Sequence, residues 1–200
     1  MPQTLTNQYS GSKHLTPRES IRWTLENCKL AESVGALPEK YELINGEIYE
    51  KMPTNPPHES TLMFMMIWLL EIFGIDRVRP QQTLSLSSNR SRPEPDLAVL
   101  KTSIREFIKS YPSPSDMLLV VEVSDTSLHF DLSTKALLYS AAGVPEYWVV
   151  NVADREIVVH RDPSHEGYLD VKLYDANEQI SALAKPEASI LVGELVPDSR

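Results

Sequence analysis

The segment Met117-Leu118-Leu119-Val120-Val121-Glu122-Val123 limits what this chain can fold into more than any other. Seven residues are short for a helix, and an apolar run without alternation is the pattern of a strand buried on both faces. Such strands arise where helices cover both sides of a sheet, so the segment predicts an α/β protein. Glu122 breaks the run. A carboxylate in a doubly buried strand is costly unless it is paired or metal-bound, so something must hold it there.

The remaining elements follow from turn and cap chemistry. Thr16-Pro17-Arg18-Glu19 offers an N-cap, a proline at the first helical position and a capping-box glutamate, and it predicts a helix running to about Glu32. Tyr41–Ile44 and Glu47–Glu50 flank Asn45-Gly46, a strong hairpin signal because both turn residues adopt positive φ. A two-residue turn sets Ile44 opposite Glu47 and Glu42 opposite Tyr49, so alternation places Glu42 and Glu47 on one face. Residues 58–73 are apolar nearly all round, which predicts a helix buried on several sides or lying at a subunit interface, and hence a homodimer. Residues 77–87 read as one or two strands and 96–100 as another. A helix over 132–142 stops at Gly143 with Pro145 beyond it, and strands at 146–152, 156–160 and 168–174 complete the set. The expected architecture is a mixed sheet with flanking helices, preceded by an N-terminal helix and a β-hairpin. Residues 1–15 read as a flexible leader and 16–200 as one domain.

Composition narrows the functional classes. The single cysteine, Cys28, excludes an intramolecular disulfide and any cysteine-based zinc cluster, and suits a reducing cytoplasm. The longest apolar run, Leu62 to Leu70, is nine residues, against the roughly 20 that a membrane-spanning helix needs. A formal charge of −9 argues against a polyanionic partner for the chain as a whole. Residues 77–110 are the exception, with Arg77, Arg79, Arg90, Arg92, Lys101, Arg105 and Lys109 against Glu94, Asp96 and Glu106. Of these, Arg77, Arg79, Arg90 and Arg92 are candidate phosphate contacts; the alternative is an exposed hairpin.

Two charges besides Glu122 point towards the core. Asp96 follows Pro95, which disfavours a helix at that point, and precedes Leu97-Ala98-Val99-Leu100, the start of a core strand. Lys135 falls on the inward stripe of its helix with Leu132, Leu138 and Tyr139. Each has a structural alternative: Glu122 accepting hydrogen bonds from a helix, Asp96 capping a turn, Lys135 pairing with Asp131 at i, i+4. Together, two carboxylates on adjoining strands and an inward lysine make a hard-cation site beside a positive group, as phosphodiester hydrolysis requires.

The chain resembles the restriction endonuclease branch of the PD-(D/E)XK nuclease superfamily, long catalogued as a domain of unknown function. The matching segments are Tyr41-Glu42-Leu43-Ile44-Asn45-Gly46-Glu47, His58, Pro95-Asp96-Leu97, Val121-Glu122-Val123-Ser124, Asp131-Leu132-Ser133-Thr134-Lys135, Tyr139 and Gly143-Val144-Pro145-Glu146-Tyr147-Trp148. The resemblance implies a restriction endonuclease-like fold in which Asp96, Glu122 and the backbone carbonyl of Val123 bind Mg²⁺, with Mn²⁺ as a substitute. The superfamily's lysine normally lies two residues after the glutamate, where this chain has Ser124. The resemblance implies that the lysine has moved to the next helix as Lys135, thirteen positions after Glu122. Glu42 or Glu47 could add a ligand or a proton-handling carboxylate, against the alternative of two solvent-facing glutamates on an edge hairpin. His58 could start its helix or join the site, and Tyr147-Trp148 suit core packing better than base stacking. The expected activity is metal-dependent endonucleolytic cleavage of DNA by a homodimer. The alternatives are a nuclease-fold module that binds nucleic acid or protein without turnover, and a metal-dependent hydrolase acting on something smaller than DNA.

Overall fold

The computed structural model describes residues 21–86 and 88–198. Helix α1 (Leu25–Ser33) is capped by Thr24, whose hydroxyl accepts from the Asn27 amide while the Asn27 side chain accepts from the Thr24 amide. The helix therefore starts later than the Thr16-Pro17 signal predicts. Residues 16–20 of that signal, like the leader assigned to 1–15, lie outside the described residues, and residues 21–24 are not helical. Trp23 and Leu25 donate their amides to the carbonyls of Gly46 and Asn89, which ties this stretch to the hairpin instead.

Strands β1 (Tyr41–Ile44) and β2 (Glu47–Glu50) pair with Ile44 opposite Glu47 and Glu42 opposite Tyr49, the expected register. Asn45 and Gly46 take φ of 51° and 81°, the double positive φ of a type I′ turn. A Cβ on Gly46 would lie 2.7 Å from Arg22 Cβ. Gly46→Ala is therefore expected to cost about 1–2 kcal/mol, read as a lowered urea midpoint with an unchanged m-value.

Helix α2 (Pro56–Phe73) begins at the Asn55 cap, has proline in its first turn and ends at Gly74 with φ of 87°. It leads into the six strands of the central sheet: β3 (Val78–Pro80), β4 (Leu97–Leu100), β5 (Met117–Ser124), β6 (Glu146–Asn151), β7 (Glu156–Ser164) and β8 (Gly167–Tyr174). They lie side by side in chain order, and β5–β6 is the parallel pair among antiparallel ones. Along β5, Leu119, Val121 and Val123 enter a core with Met65, Trp68 and Leu69 of α2, while Met117 and Val120 enter a second core with Ala136 and Tyr139. This is the two-sided burial that the apolar run predicts.

Three expectations change. The strand expected over 77–87 shrinks to β3, because Pro80 has no amide to extend the ladder and Gln81 turns away at φ of 44°. The chain then runs along the hairpin, where Arg92 donates its amide to Leu43 O and Gly46 donates to Arg90 O. Helix α2 is covered on one side rather than several, since Met65, Trp68, Leu69 and Phe73 face the sheet while Met63, Phe64 and Ile67 stand about half exposed. The helix expected from residue 132 starts earlier. An α-turn α3 (Leu128–Phe130), a π-helical turn (Asp131–Lys135) and α4 (Ala136–Ala141) run on as one rod that stops at Gly143.

Strands β7 and β8 are longer than expected and join through a tight turn at His165-Glu166. Strands β9 (Gln179–Ile180) and β10 (Ile190–Leu191) pair with each other, and with α5 (Val192–Leu195) they close the core on the α2 side. Trp148 is fully buried and stacks on Trp68 at 6.0 Å between centroids, so Tyr147-Trp148 is core. Among the described residues no helix is long and apolar enough to cross a membrane.

Candidate active site

Carried one residue beyond the Leu97–Val121 pair, the β4–β5 register sets Asp96 opposite Glu122. Asp96 Oδ2 accepts the Val123 amide at 2.8 Å and lies 3.6 Å from His58 Nε2. Glu122 Oε1 accepts from Lys135 Nζ at 2.9 Å and from the Tyr139 hydroxyl at 3.0 Å. The Lys135 ammonium is also 2.9 Å from Glu42 Oε2 and 3.8 Å from Asp131 Oδ1. The other Glu42 oxygen accepts the Glu94 amide at 2.7 Å, while Asp131 Oδ2 accepts from Ser124 Oγ and Ser127 Oγ. Glu42, His58, Asp96, Glu122, Asp131 and Lys135 are all buried.

The local sequence explains why these side chains meet. Residues 92–94 run beside β1, Arg92 donating its amide to Leu43 O and Glu94 donating its amide to Glu42, which holds Glu42 beside Glu94, two residues in sequence from Asp96 at the start of β4. The π turn keeps Asp131, Lys135 and Tyr139 aligned, each four residues from the next, so one stripe of the helix faces Glu122. Asn55, at the cap of α2, accepts the His58 amide, and that first turn delivers the imidazole to Asp96.

Three carboxylates share one ammonium in a buried volume, with Asp96 beside them on His58, and their ionisation responds. Burial pushes Glu122 well above the ordinary carboxylate range; Lys135 opposes this, but the charges of Asp96, Asp131 and Glu42 reinforce it. Burial likewise raises Asp131 despite Lys135 and the two serine hydroxyls. Asp96 goes the other way: burial would raise it, yet the His58 imidazole and the Val123 amide draw it below the usual range. For Lys135, burial alone would release the proton, but Glu122, Glu42 and Asp131 hold it on. Burial lowers His58, and Asp96 more than restores it. Burial raises the Tyr139 phenol, which therefore stays a hydrogen-bond donor.

Among the candidates, Asp96, Glu122, Lys135, Glu42 and His58 come together, and Val123 touches Asp96 through its amide. Glu47 does not join them. It sits at the turn end of the hairpin, exposed, paired with Arg22 and accepting from Tyr49. Of the arginines, Arg92 is committed to Glu32 at 3.0 Å and to the Tyr41 ring, and Arg79 donates to Gln82, while Arg77 and Arg90 are exposed. Asp131, Tyr139 and the serines at 124 and 127 were not singled out as site residues from sequence. The i, i+4, i+8 spacing of Asp131, Lys135 and Tyr139 is the signal that could have found them.

The donor set suits a hard cation in part. Asp96 Oδ1 and Glu122 Oε2 have no donor among the described residues, and both are the hard oxygen ligands that Mg²⁺ prefers. Among the described residues no group of three or more His, Cys, Asp or Glu is arranged to hold an ion. Two carboxylates fit Mg²⁺, which keeps several waters, and do not make a zinc cage. A surface cavity of about 520 Å³ lies elsewhere, between β3 and a short 3₁₀ turn, lined by Arg79, Ile104, Arg105 and Phe107 among others.

A six-stranded mixed sheet with helices on both faces and a buried acidic cluster at the β4–β5 pair defines a restriction endonuclease-like α/β protein. The fold matches a crystal structure described as a "putative nuclease belonging to DUF820" from Anabaena variabilis ATCC 29413, with a TM-score of 0.68. The match covers 86% of this chain and 97% of that one at 13% identity, so the likeness is one of fold. Residues 31–193 match the family model "Uma2: Putative restriction endonuclease", and the chain belongs to that family. No curated protein matches it.

Proposed function

We propose that this chain is a metal-dependent endonuclease that hydrolyses DNA phosphodiester bonds. The observation that carries the reading is the pairing of Asp96 with Glu122, each with one oxygen uncommitted, in a cluster whose carboxylates outnumber its single lysine. Such a site is short of positive charge. Asp96, Glu122 and the Val123 carbonyl would hold Mg²⁺ or Mn²⁺, which when bound acidifies water and offsets phosphate charge.

The chain's own groups then have separate tasks. The Val123 amide and His58 keep Asp96 ionised. Glu42 and Asp131 grip Lys135 from two sides, so its ammonium is aimed before substrate arrives, ready to orient the attacking water or stabilise developing charge. Tyr139 fixes the Glu122 carboxylate. Arg77 and Arg90, both exposed, would contact phosphates flanking the scissile bond.

The test pairs binding with turnover. Calorimetric titration of Mn²⁺ should show one site in the wild type and none in Asp96→Ala or Glu122→Ala, and supercoiled plasmid should be nicked only with Mg²⁺ or Mn²⁺ present. A second reading, a module that binds nucleic acid or protein without cleaving it, is favoured by how closed the cluster is: Asp96 is only 8% exposed and Glu122 3%. Under that reading the wild type takes up no Mn²⁺ and cuts no plasmid, and the alanine variants bind their partner as well as it does.

A further inference from the structure

The sheet ends on β8, whose inner edge is taken by β7 and whose outer edge meets no described strand. Edge strands are ordinarily blunted by charged side chains, proline, bulges or short length. Strand β8 has eight residues and no proline, its two exposed charges Asp170 and Lys172 are of opposite sign and so can pair with those of a second copy, and the local irregularity lies on its neighbour, where Asp162 takes φ of 57°. Leu169, Val171 and Leu173 stand 72%, 53% and 49% exposed along one face, with Asp170 and Lys172 exposed on the other. Three exposed apolar residues on an open edge are a liability in a protein that stays alone.

The order of these residues is self-complementary. In Leu169-Asp170-Val171-Lys172-Leu173, a two-fold axis through Val171 places Asp170 opposite Lys172 of a second copy, twice, and Leu169 opposite Leu173, twice. An axis through Asp170 or Lys172 would put like charges face to face, and an axis between residues would mix the apolar and charged faces. Lys172 is already held on its face, its Nζ 4.1 Å from the centre of the Tyr174 ring, while Asp170 sits in register with Arg161 of β7, whose guanidinium is bonded to Glu146 and Ser181.

We infer that β8 pairs antiparallel with β8 of a second copy of this chain, centred on Val171, so that two six-stranded sheets become one. The half-exposed Met63, Phe64 and Ile67 on α2 form the rival surface. No residue of the acidic cluster takes part, so the inference stands apart from the nuclease reading.

Sedimentation velocity of the full chain at tens of micromolar should give twice the 22.6 kDa of one chain. Asp170→Lys and Lys172→Asp each turn both cross-strand pairs into like charges and should weaken the dimer roughly tenfold, while the double exchange D170K/K172D restores it. Unchanged circular dichroism and melting temperature would confirm that these exposed substitutions leave the fold intact. Val171→Cys should form a covalent dimer on mild oxidation, because residues directly opposite in an antiparallel pair are within disulfide reach, whereas exposed Ile108→Cys should not. A monomeric wild type overturns the inference. So does a dimer that ignores both single reversals, or one that Phe64→Glu dissociates.

Discussion

Lys135→Ala is expected to lose about 3–5 kcal/mol of stability and about 10²–10³-fold in plasmid nicking. The ammonium lies 2.9 Å from both Glu122 and Glu42 and 3.8 Å from Asp131, so its removal leaves three buried carboxylates with no counter-charge. The loss should depend on pH. Burial already holds Glu122 and Asp131 above their unfolded values against the pull of Lys135, and without the lysine these two rise further, so the folded variant binds more protons than its unfolded chain. Stability then falls as pH rises. The deficit against wild type, read by urea unfolding, should be larger at pH 8 than at pH 5. Lys135→Met keeps most of the aliphatic stem and should show the same pH trend, which separates charge from packing. A folded Lys135 variant that still cuts DNA would remove the lysine from the mechanism.

Glu146→Ala should cost about 3–5 kcal/mol, comparable to Lys135→Ala, without touching the cluster. Glu146 is fully buried at the start of β6. One carboxylate oxygen accepts from Trp148 Nε1 at 3.0 Å and from Arg161 Nε at 2.8 Å, with Arg161 Nη2 at 2.7 Å; the other accepts the Leu183 amide at 2.7 Å. Arg161 also donates to Ser181 O, so this carboxylate pins the segment after β8 to the sheet. Truncation strands an indole, a backbone amide and a partly buried guanidinium at once. The β5–β6 register sets Glu146 beside Leu119, three residues back along β5 from Glu122, and on the other face of the sheet: Glu146 bonds Trp148 on the α2 side and Glu122 bonds Tyr139 on the α4 side. The urea midpoint should therefore drop while Mn²⁺ affinity stays as in the wild type. Equal losses in both would mean that the two faces of the sheet are coupled.

Some of this molecule is legible in short stretches of chain. The Asn45-Gly46 turn fixes the hairpin register because two successive positive φ angles admit one geometry, and Gly143 ahead of Pro145 ends its helix for a similarly local reason. The unbroken apolar run of β5 records burial on two sides because no residue in it except Glu122 would suffer from leaving water. Misreadings came where distant surfaces compete for the same backbone. The start of α1 gave way to hydrogen bonds with the hairpin, and the strand expected over 77–87 gave way to packing along β1.

The division is sharpest among the carboxylates. That Asp96, Glu122 and the inward Lys135 needed partners could be read from the chain, since a charge in an apolar stretch carries a desolvation cost wherever it ends up. Which partners they have was decided by tertiary structure. Glu42 and Glu47 share one hairpin face, yet one reaches Lys135 and the other solvent, because only Glu42 lies beside the stretch that leads into β4, where it accepts the Glu94 amide, while Glu47 sits at the turn end. Glu146, unremarkable at the start of a strand, became an ion pair because β7 carries Arg161 beside it. Periodicity and turn chemistry act over a few residues and can be read one segment at a time. The Coulombic and desolvation energies of a buried charge depend on everything within a few ångströms, and that neighbourhood exists only once the segments have packed.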